Sequence, residues 1–443
     1  MIGADFFVLG SRAMRAWTLA AVVTTSLFAC SDPPTNPTPP DPPTSNDPAF
    51  SVNGLKEWYV LADAAQPGTN QMTFIITAPS GSDYVDAYIP GIGGKRMKDQ
   101  SDGFALDINI EGVPVGTHDI LFTANGSTTA FAKATFHRSM PYYVIVSTDY
   151  DFADPGNQAI YHMDSLHRNH PGMVMTHFWA PYTYTDPSAS AARRDELDLW
   201  IKKQRDELND EIALHIHPYC HFVTSAGVTC ITDKSTVYPE DLSGYTIKLD
   251  AYDRATMGQL LQRAHAIFNE RGLGTPTTFR AGGWTAGLET LKALDDNGYV
   301  ADTSALNWAK IEEWMGKELY TWNQTNWSEI GDTSQPYFPS TTDAQKSIPG
   351  SNMRMLEVPD NGVMIDYVSL VEMNALFDAN WDGLPLAAPK TLMMGFHPAP
   401  GFDSGEVTRV DGFLKYADMH LASAGTGPVV YATLSQVSLV FQP

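Results

Sequence analysis

The chain of 443 residues has only three cysteines, too few for a disulfide scaffold, and no C-x-x-C pair of the kind that seats structural zinc. Positive charge is also scarce: 28 Lys and Arg stand against 51 Asp and Glu, a formal charge of −23. Such a surface repels phosphate backbones and anionic head groups, so nucleic acid is not an expected partner. Long apolar runs are missing as well. The uncharged stretch Ala16 to Ala29 is too short to span a bilayer as a mature helix, and no second stretch reaches that length. What is present excludes wholesale disorder, because 43% hydrophobic and 11% aromatic residues are enough to build cores. The length predicts two or three domains.

Arg12 and Arg15 followed by that uncharged stretch read as an export signal over residues 1–29, starting at Met1 or, more compactly, at Met14. It ends Leu27-Phe28-Ala29-Cys30, which resembles the lipobox of bacterial lipoproteins. The resemblance implies that Cys30 is acylated and anchors an exported protein in the bacterial cell envelope, at the outer membrane or cell surface. The other reading is an ordinary secretory signal with an incidental cysteine. Residues 30–49 form a linker in which 8 of the 16 residues from Pro33 to Pro48 are proline. Such a segment extends by about 3 Å per residue and acts as a semi-rigid stalk.

From Phe50 to Arg138 short alternating runs, among them Gln71–Thr77, Phe104–Ile110 and Thr117–Thr123, are separated by turn residues such as Pro79-Ser80-Gly81 and Asn125-Gly126. Period-two alternation at this spacing predicts a small antiparallel β-sandwich over residues 50–138, serving as a spacer or as a glycan-binding module. After Met140-Pro141 the rhythm becomes strand–helix alternation over residues 139–443. Tyr143–Ser147 and Ile212–Ile216 suit buried parallel strands, and Arg194–Asp210 and Arg254–Arg271 have helical spacing. Repeated units of this kind predict an α/β fold, a parallel sheet or barrel, with its reactive groups at the C-terminal ends of the strands.

Three clusters fall at such ends. In Ser147-Thr148-Asp149-Tyr150-Asp151, residues two apart in an extended chain point the same way, so Asp149 and Asp151 could face one pocket; a pair of solvated loop aspartates is the plain alternative. In Leu214-His215-Ile216-His217-Pro218-Tyr219-Cys220-His221, His215 and His217 share a strand face. His217 and His221 have the spacing that places two imidazoles on one metal from a strand end and its turn. Imidazoles with a carboxylate and an open position are the usual ligands of a catalytic zinc. The third cluster joins Phe279-Arg280-Ala281-Gly282-Gly283-Trp284 to Gly395-Phe396-His397-Pro398: Arg280 could grip a carboxylate, and His397 could act as an acid near neutral pH.

In this order the clusters resemble the polysaccharide deacetylase family, of the nodulation-type chitooligosaccharide deacetylases, from about Pro141 to the C-terminus. The resemblance implies a distorted (β/α) barrel that binds zinc or a similar divalent ion and removes N-acetyl groups from a polysaccharide. It further implies Asp149 as catalytic base and Asp151, His217 and His221 as metal ligands. Arg280 would orient the base, Asp302 in Gly298-Tyr299-Val300-Ala301-Asp302-Thr303-Ser304 would support Arg280, and His397 would be the acid. Trp284 and Tyr219 are the aromatic candidates for touching substrate. Three departures stand out. Tyr150 separates aspartates that are adjacent in the family, Pro218 follows the first metal histidine where Ser or Thr is usual, and residues 303–390 are an unusually long stretch holding five of the ten tryptophans.

With Cys30 lipidated, Cys220 and Cys230 remain as an even pair in an oxidising compartment, and a disulfide between them is expected beside the histidines. The rival functions are removal of O-acetyl groups or opening of another amide on the same barrel, and a non-catalytic glycan-binding surface lipoprotein.

Overall fold

A computed structural model describes residues 38–43, 50–399 and 402–441. The expected signal and Cys30 lie outside the described residues, as does most of the linker; within it, Asp41 pairs with Thr129 at the edge of the first sheet system. Among the described residues no helix is long and apolar enough to cross a membrane.

The alternating runs form two sheets. One has the strands Val52–Asn53, Gln71–Ile76, Gly103–Asn109 and Lys98–Gln100 in that spatial order; the other has Trp58–Val60, Ala132–Ser139, Gly116–Ala124, Val85–Ile89 and Gly93–Arg96. Every second residue turns inward, as at Met72, Phe74 and Ile76, and Phe74 meets Phe122 of the other sheet with ring centroids 5.7 Å apart. Pairing is antiparallel except at the edge, where Trp58–Val60 runs parallel to Ala132–Ser139.

Eight parallel strands build the rest: β1 (Tyr142–Asp149), β2 (Met175–Trp179), β3 (Glu211–Ile216), β4 (Thr278–Ala281), β5 (Ala301–Asp302), β6 (Leu356–Glu357), β7 (Lys390–Phe396) and β8 (Val429–Tyr431). Their order is β6-β5-β4-β3-β2-β1-β7, with β8 paired to the start of β1. The gap between β6 and β7 is spanned by an irregular segment: the Ile365 amide donates to Gly395 O (2.8 Å) and the Gly395 amide to Val363 O (3.1 Å). The result is a distorted (β/α) barrel.

Both faces of β1 are buried, which explains its continuous apolar run. Its odd-numbered residues Tyr143 and Ile145 join Phe178, Ala213, Ala301 and Met393 in the interior core, which Leu434 and Val437 of the last helix plug. Even-numbered Val144 and Val146 face the outer helices. The odd row continues upward to Ser147 and Asp149, so the alternation that fills the core also delivers a carboxylate to the C-terminal mouth. Outside lie α1 (Gly156–Asn169), α2 (Ala191–Leu208), α4 (Arg254–Glu270) and others. The cap of α2 is Ser190, whose hydroxyl accepts from the Arg193 amide at 3.1 Å, and Asn209 ends it in the left-handed conformation.

Candidate metal centre and active site

The alternation continues past the end of β1. Asp149 and Asp151 both line one cavity of about 300 Å³, while Tyr150 between them turns into the core, its hydroxyl 3.0 Å from His177 Nδ1. The residue that interrupts the aspartate pair therefore keeps both carboxylates on one side.

At the end of β3, His215 and His217 share a face and both reach Asp151. His215 Nε2 lies 3.2 Å and His217 Nε2 3.1 Å from Asp151 Oδ1. Each imidazole uses its other nitrogen on a backbone carbonyl: His215 Nδ1 on Arg280 O at 2.9 Å, His217 Nδ1 on Tyr245 O at 2.8 Å. A carbonyl only accepts, so both Nδ1 atoms carry a proton, and both rings turn Nε2 to the carboxylate. Three potential metal donors thus converge within 4.8 Å of one another, and buried His217 Nε2 makes no well-formed hydrogen bond. Asp with two His, each ring fixed through Nδ1 on a backbone carbonyl, is a donor set suited to a divalent ion with open positions. Burial alone would raise the Asp151 pKa, but His217 and His397 outweigh it and hold this carboxyl well below the usual range.

His221 is not part of this group, which corrects the expected ligand set. After Pro218 the chain turns into the short helix α3 (Cys220–Ser225), and His221 points away, with Nδ1 2.8 Å from Thr185 Oγ1 and Nε2 3.9 Å from Asp186. The period-two relation of His215 to His217, not the four-residue step, decides which imidazoles meet Asp151.

Asp149 is 2% exposed and is held by Arg280, whose Nη1 donates to Asp149 Oδ1 at 2.8 Å and to Ser147 Oγ at 3.0 Å. Asp302 does not support this arginine. It pairs across the sheet with Phe279, on the outer face, whereas Arg280 points inward; Asp302 accepts from Ser304 Oγ at 2.9 Å, and burial pushes its pKa up to about 6. The second carboxylate of Arg280 is Asp360, with Oδ2 3.5 Å from Nη2. Asp360 also accepts from Trp284 Nε1 at 2.8 Å and from the Val363 amide at 3.1 Å. Trp284 and Val363 both have positive φ, 55° and 63°, so one buried carboxylate ties down two strained turns and the arginine together.

His397 closes the cavity from the end of β7. Its Nδ1 is 3.0 Å from Asp366 Oδ2, and its Nε2 is 3.9 Å from Asp151 Oδ1. Burial would lower its pKa, but the carboxylates of Asp151 and Asp366 prevail and push it up to about 10. Asp360 and Asp366 lie in the long stretch after Asp302, where no motif marked them.

Trp284 walls the cavity as expected, with Trp314, Tyr367 and Tyr238. Tyr219 does not. Its ring is stacked between His221 (5.3 Å) and Tyr245 (5.4 Å), and its hydroxyl donates to Asp151 O at 3.2 Å, so it supports the metal loop from behind. Cys220 and Cys230 form the expected disulfide, with Cα atoms 5.1 Å apart, at the root of the loop that supplies Thr236–Tyr238 and Tyr245–Ile247 to the cavity. Of the tryptophans in residues 303–390, Trp322, Trp327 and Trp381 are buried packing residues, and Trp314 lines the cavity.

No protein-family model and no curated protein matches the chain. Solved structures are similar to it at low identity. One is a Mycobacterium smegmatis protein described as a polysaccharide deacetylase: 15% identity over 67% of this chain and 89% of that one, TM-score 0.40. Another is a family 4 carbohydrate esterase from Streptomyces lividans: 11% identity, 69% and 99% coverage, TM-score 0.35. A third is an allantoinase: 12% identity, 67% and 89% coverage, TM-score 0.39. At these values the likeness carries no argument about chemistry, which rests on the site itself.

Proposed function

We propose that the protein is a metal-dependent hydrolase, with zinc at Asp151, His215 and His217, that removes N-acetyl groups from a cell-envelope or extracellular polysaccharide. The observation that carries this reading is a convergence around one cavity: a three-donor cluster, a carboxylate gripped by an arginine, and a histidine backed by a second carboxylate. A divalent ion held by Asp151, His215 and His217 would supply Lewis acidity and a water of lowered pKa. Asp149, aimed by Arg280, takes the proton from the attacking water. His397 enters the reaction protonated, with its pKa near 10, and delivers its proton to the departing amine. No nucleophilic side chain and no covalent intermediate is required. Among the described residues no Lys or Arg lines the cavity, and Phe152, Tyr238, Tyr245, Trp284, Trp314 and Tyr367 do, which favours an uncharged acylated sugar over an anionic one.

The reading extends to the location: Cys30 carries the lipid, and the proline-rich linker holds the barrel off the membrane so that it reaches glycan outside. The test is acetate release from a panel of N- and O-acetylated glycans with and without chelator. Chelator-sensitive release from N-acetylated members is expected. Release from O-acetylated members alone would move the activity to an esterase, and no release from any member would favour a glycan-binding surface protein.

A further inference from the structure

We infer that Tyr245, from the disulfide-rooted loop, is a positioning residue that sets two of the three metal donors at once. This inference rests on the metal site, not on the identity of the substrate. Its phenolic hydroxyl donates to Asp151 Oδ2 at 2.8 Å, leaving Oδ1 as the oxygen that faces the two imidazoles. Its backbone carbonyl accepts from His217 Nδ1 at 2.8 Å, which fixes that ring's tautomer and turns Nε2 toward Asp151. Its ring also packs on the His217 ring, with centroids 4.7 Å apart. One side chain and its own peptide therefore act on a carboxylate from the end of β1 and an imidazole from the end of β3, elements that the barrel alone does not tie together at this height.

The loop is built to bring Tyr245 this close. The Cys220 amide donates to Ser243 O at 2.7 Å, and the Cys220–Cys230 disulfide closes the chain immediately after the histidines. Gly244 has φ +90°, and a Cβ there would fall 2.4 Å from Pro218 O, so only glycine lets the loop lie flat against the turn that follows His217.

The test is the Zn²⁺ dissociation constant of the full chain, by competition with a chromogenic chelator, for wild type, Tyr245→Phe and Tyr252→Phe. Tyr245→Phe keeps the ring and the carbonyl and loses only the donor to Asp151; loss of such an outer partner of a ligand weakens metal binding about 10–100-fold. Tyr252 accepts from the Ile231 amide at 3.1 Å at the far end of the loop and touches no metal donor, so its variant controls for loosening of the loop. The expected result is weakening for Tyr245→Phe only, with the melting midpoint of the metal-free protein unchanged and an altered visible spectrum when Co²⁺ replaces Zn²⁺. Affinity within twofold of wild type for Tyr245→Phe, or equal weakening in both variants, would overturn the inference.

Discussion

Gly282, at the end of β4, leads into the turn that carries Trp284, and a Cβ added there would lie 2.5–2.6 Å from three atoms of the His217 ring. Ordinary Cβ contacts begin near 3.4 Å, so the clash amounts to about 0.9 Å against a ring whose bond to a metal would tolerate about 0.2 Å. The φ of Gly282 is not left-handed, so the glycine is there for room and not for conformation. In Gly282→Ala the imidazole must slide or tilt, and it cannot do so while keeping both Tyr245 O and the metal. Overpacking of this kind costs about 1–3 kcal/mol in stability, but the loss of metal affinity should dominate, at least about 100-fold, since a ligand and its orienting bond are both disturbed. Zinc content after gel filtration, measured with turnover and a thermal melt, separates the two effects. Stoichiometric zinc with wild-type turnover in Gly282→Ala would refute the placement of His217 as a ligand.

Replacing Asp360 by Asn removes one of the two carboxylates that balance buried Arg280 and weakens the anchor of Trp284 and Val363; turnover should fall at least tenfold while zinc is retained, as metal analysis beside steady-state kinetics will show. In Asp366→Asn, His397 loses one of the carboxylates that raise it, so the alkaline limb of kcat should move to lower pH by about one unit or more; an unmoved limb would remove His397 from the acid role. Asp210 is buried, and although burial alone would raise its pKa, His167 and His177 hold it below its ordinary value. A depressed folded-state pKa gives stability above the unfolded value near 4 and loses it as pH falls through the folded one. Asp210→Asn should therefore cost about 3 kcal/mol near neutrality, a deficit that narrows in acid denaturation curves below about pH 4.

The interior row of the barrel was legible because a strand buried on both faces is apolar along most of its length, as β1, β3 and β7 are over Tyr143–Val146, Ile212–Leu214 and Leu392–Met394. Met175–Trp179 was not, since Thr176 and His177 break the run; they are tolerated because His177 is satisfied on both sides, by Asp210 at 3.0 Å and by Thr148 and Tyr150. Helix α1 was missed because its buried residues, Ala159, Met163 and Leu166, are few among polar ones. Asp149, Arg280 and His397 are where their strand ends promised. His221 misled because spacing along a turn does not fix direction, whereas alternation along a strand does. The misplaced support for Arg280 has the same origin, for the parity of Asp302 places it outside the barrel. Asp360, Asp366 and Tyr245 carry no local signature, because their roles arise only when long segments fold back over the mouth.

In the proposed function, Asp151, His215 and His217, and not His221, hold the metal on which hydrolysis depends. Zinc stoichiometry of purified His215→Ala and His221→Ala, each measured beside wild type and beside chelator-sensitive acetate release, tests it most directly. Loss of metal and of turnover is expected in His215→Ala, with both kept in His221→Ala. Metal retained at full occupancy in His215→Ala, or lost in His221→Ala alone, would contradict it.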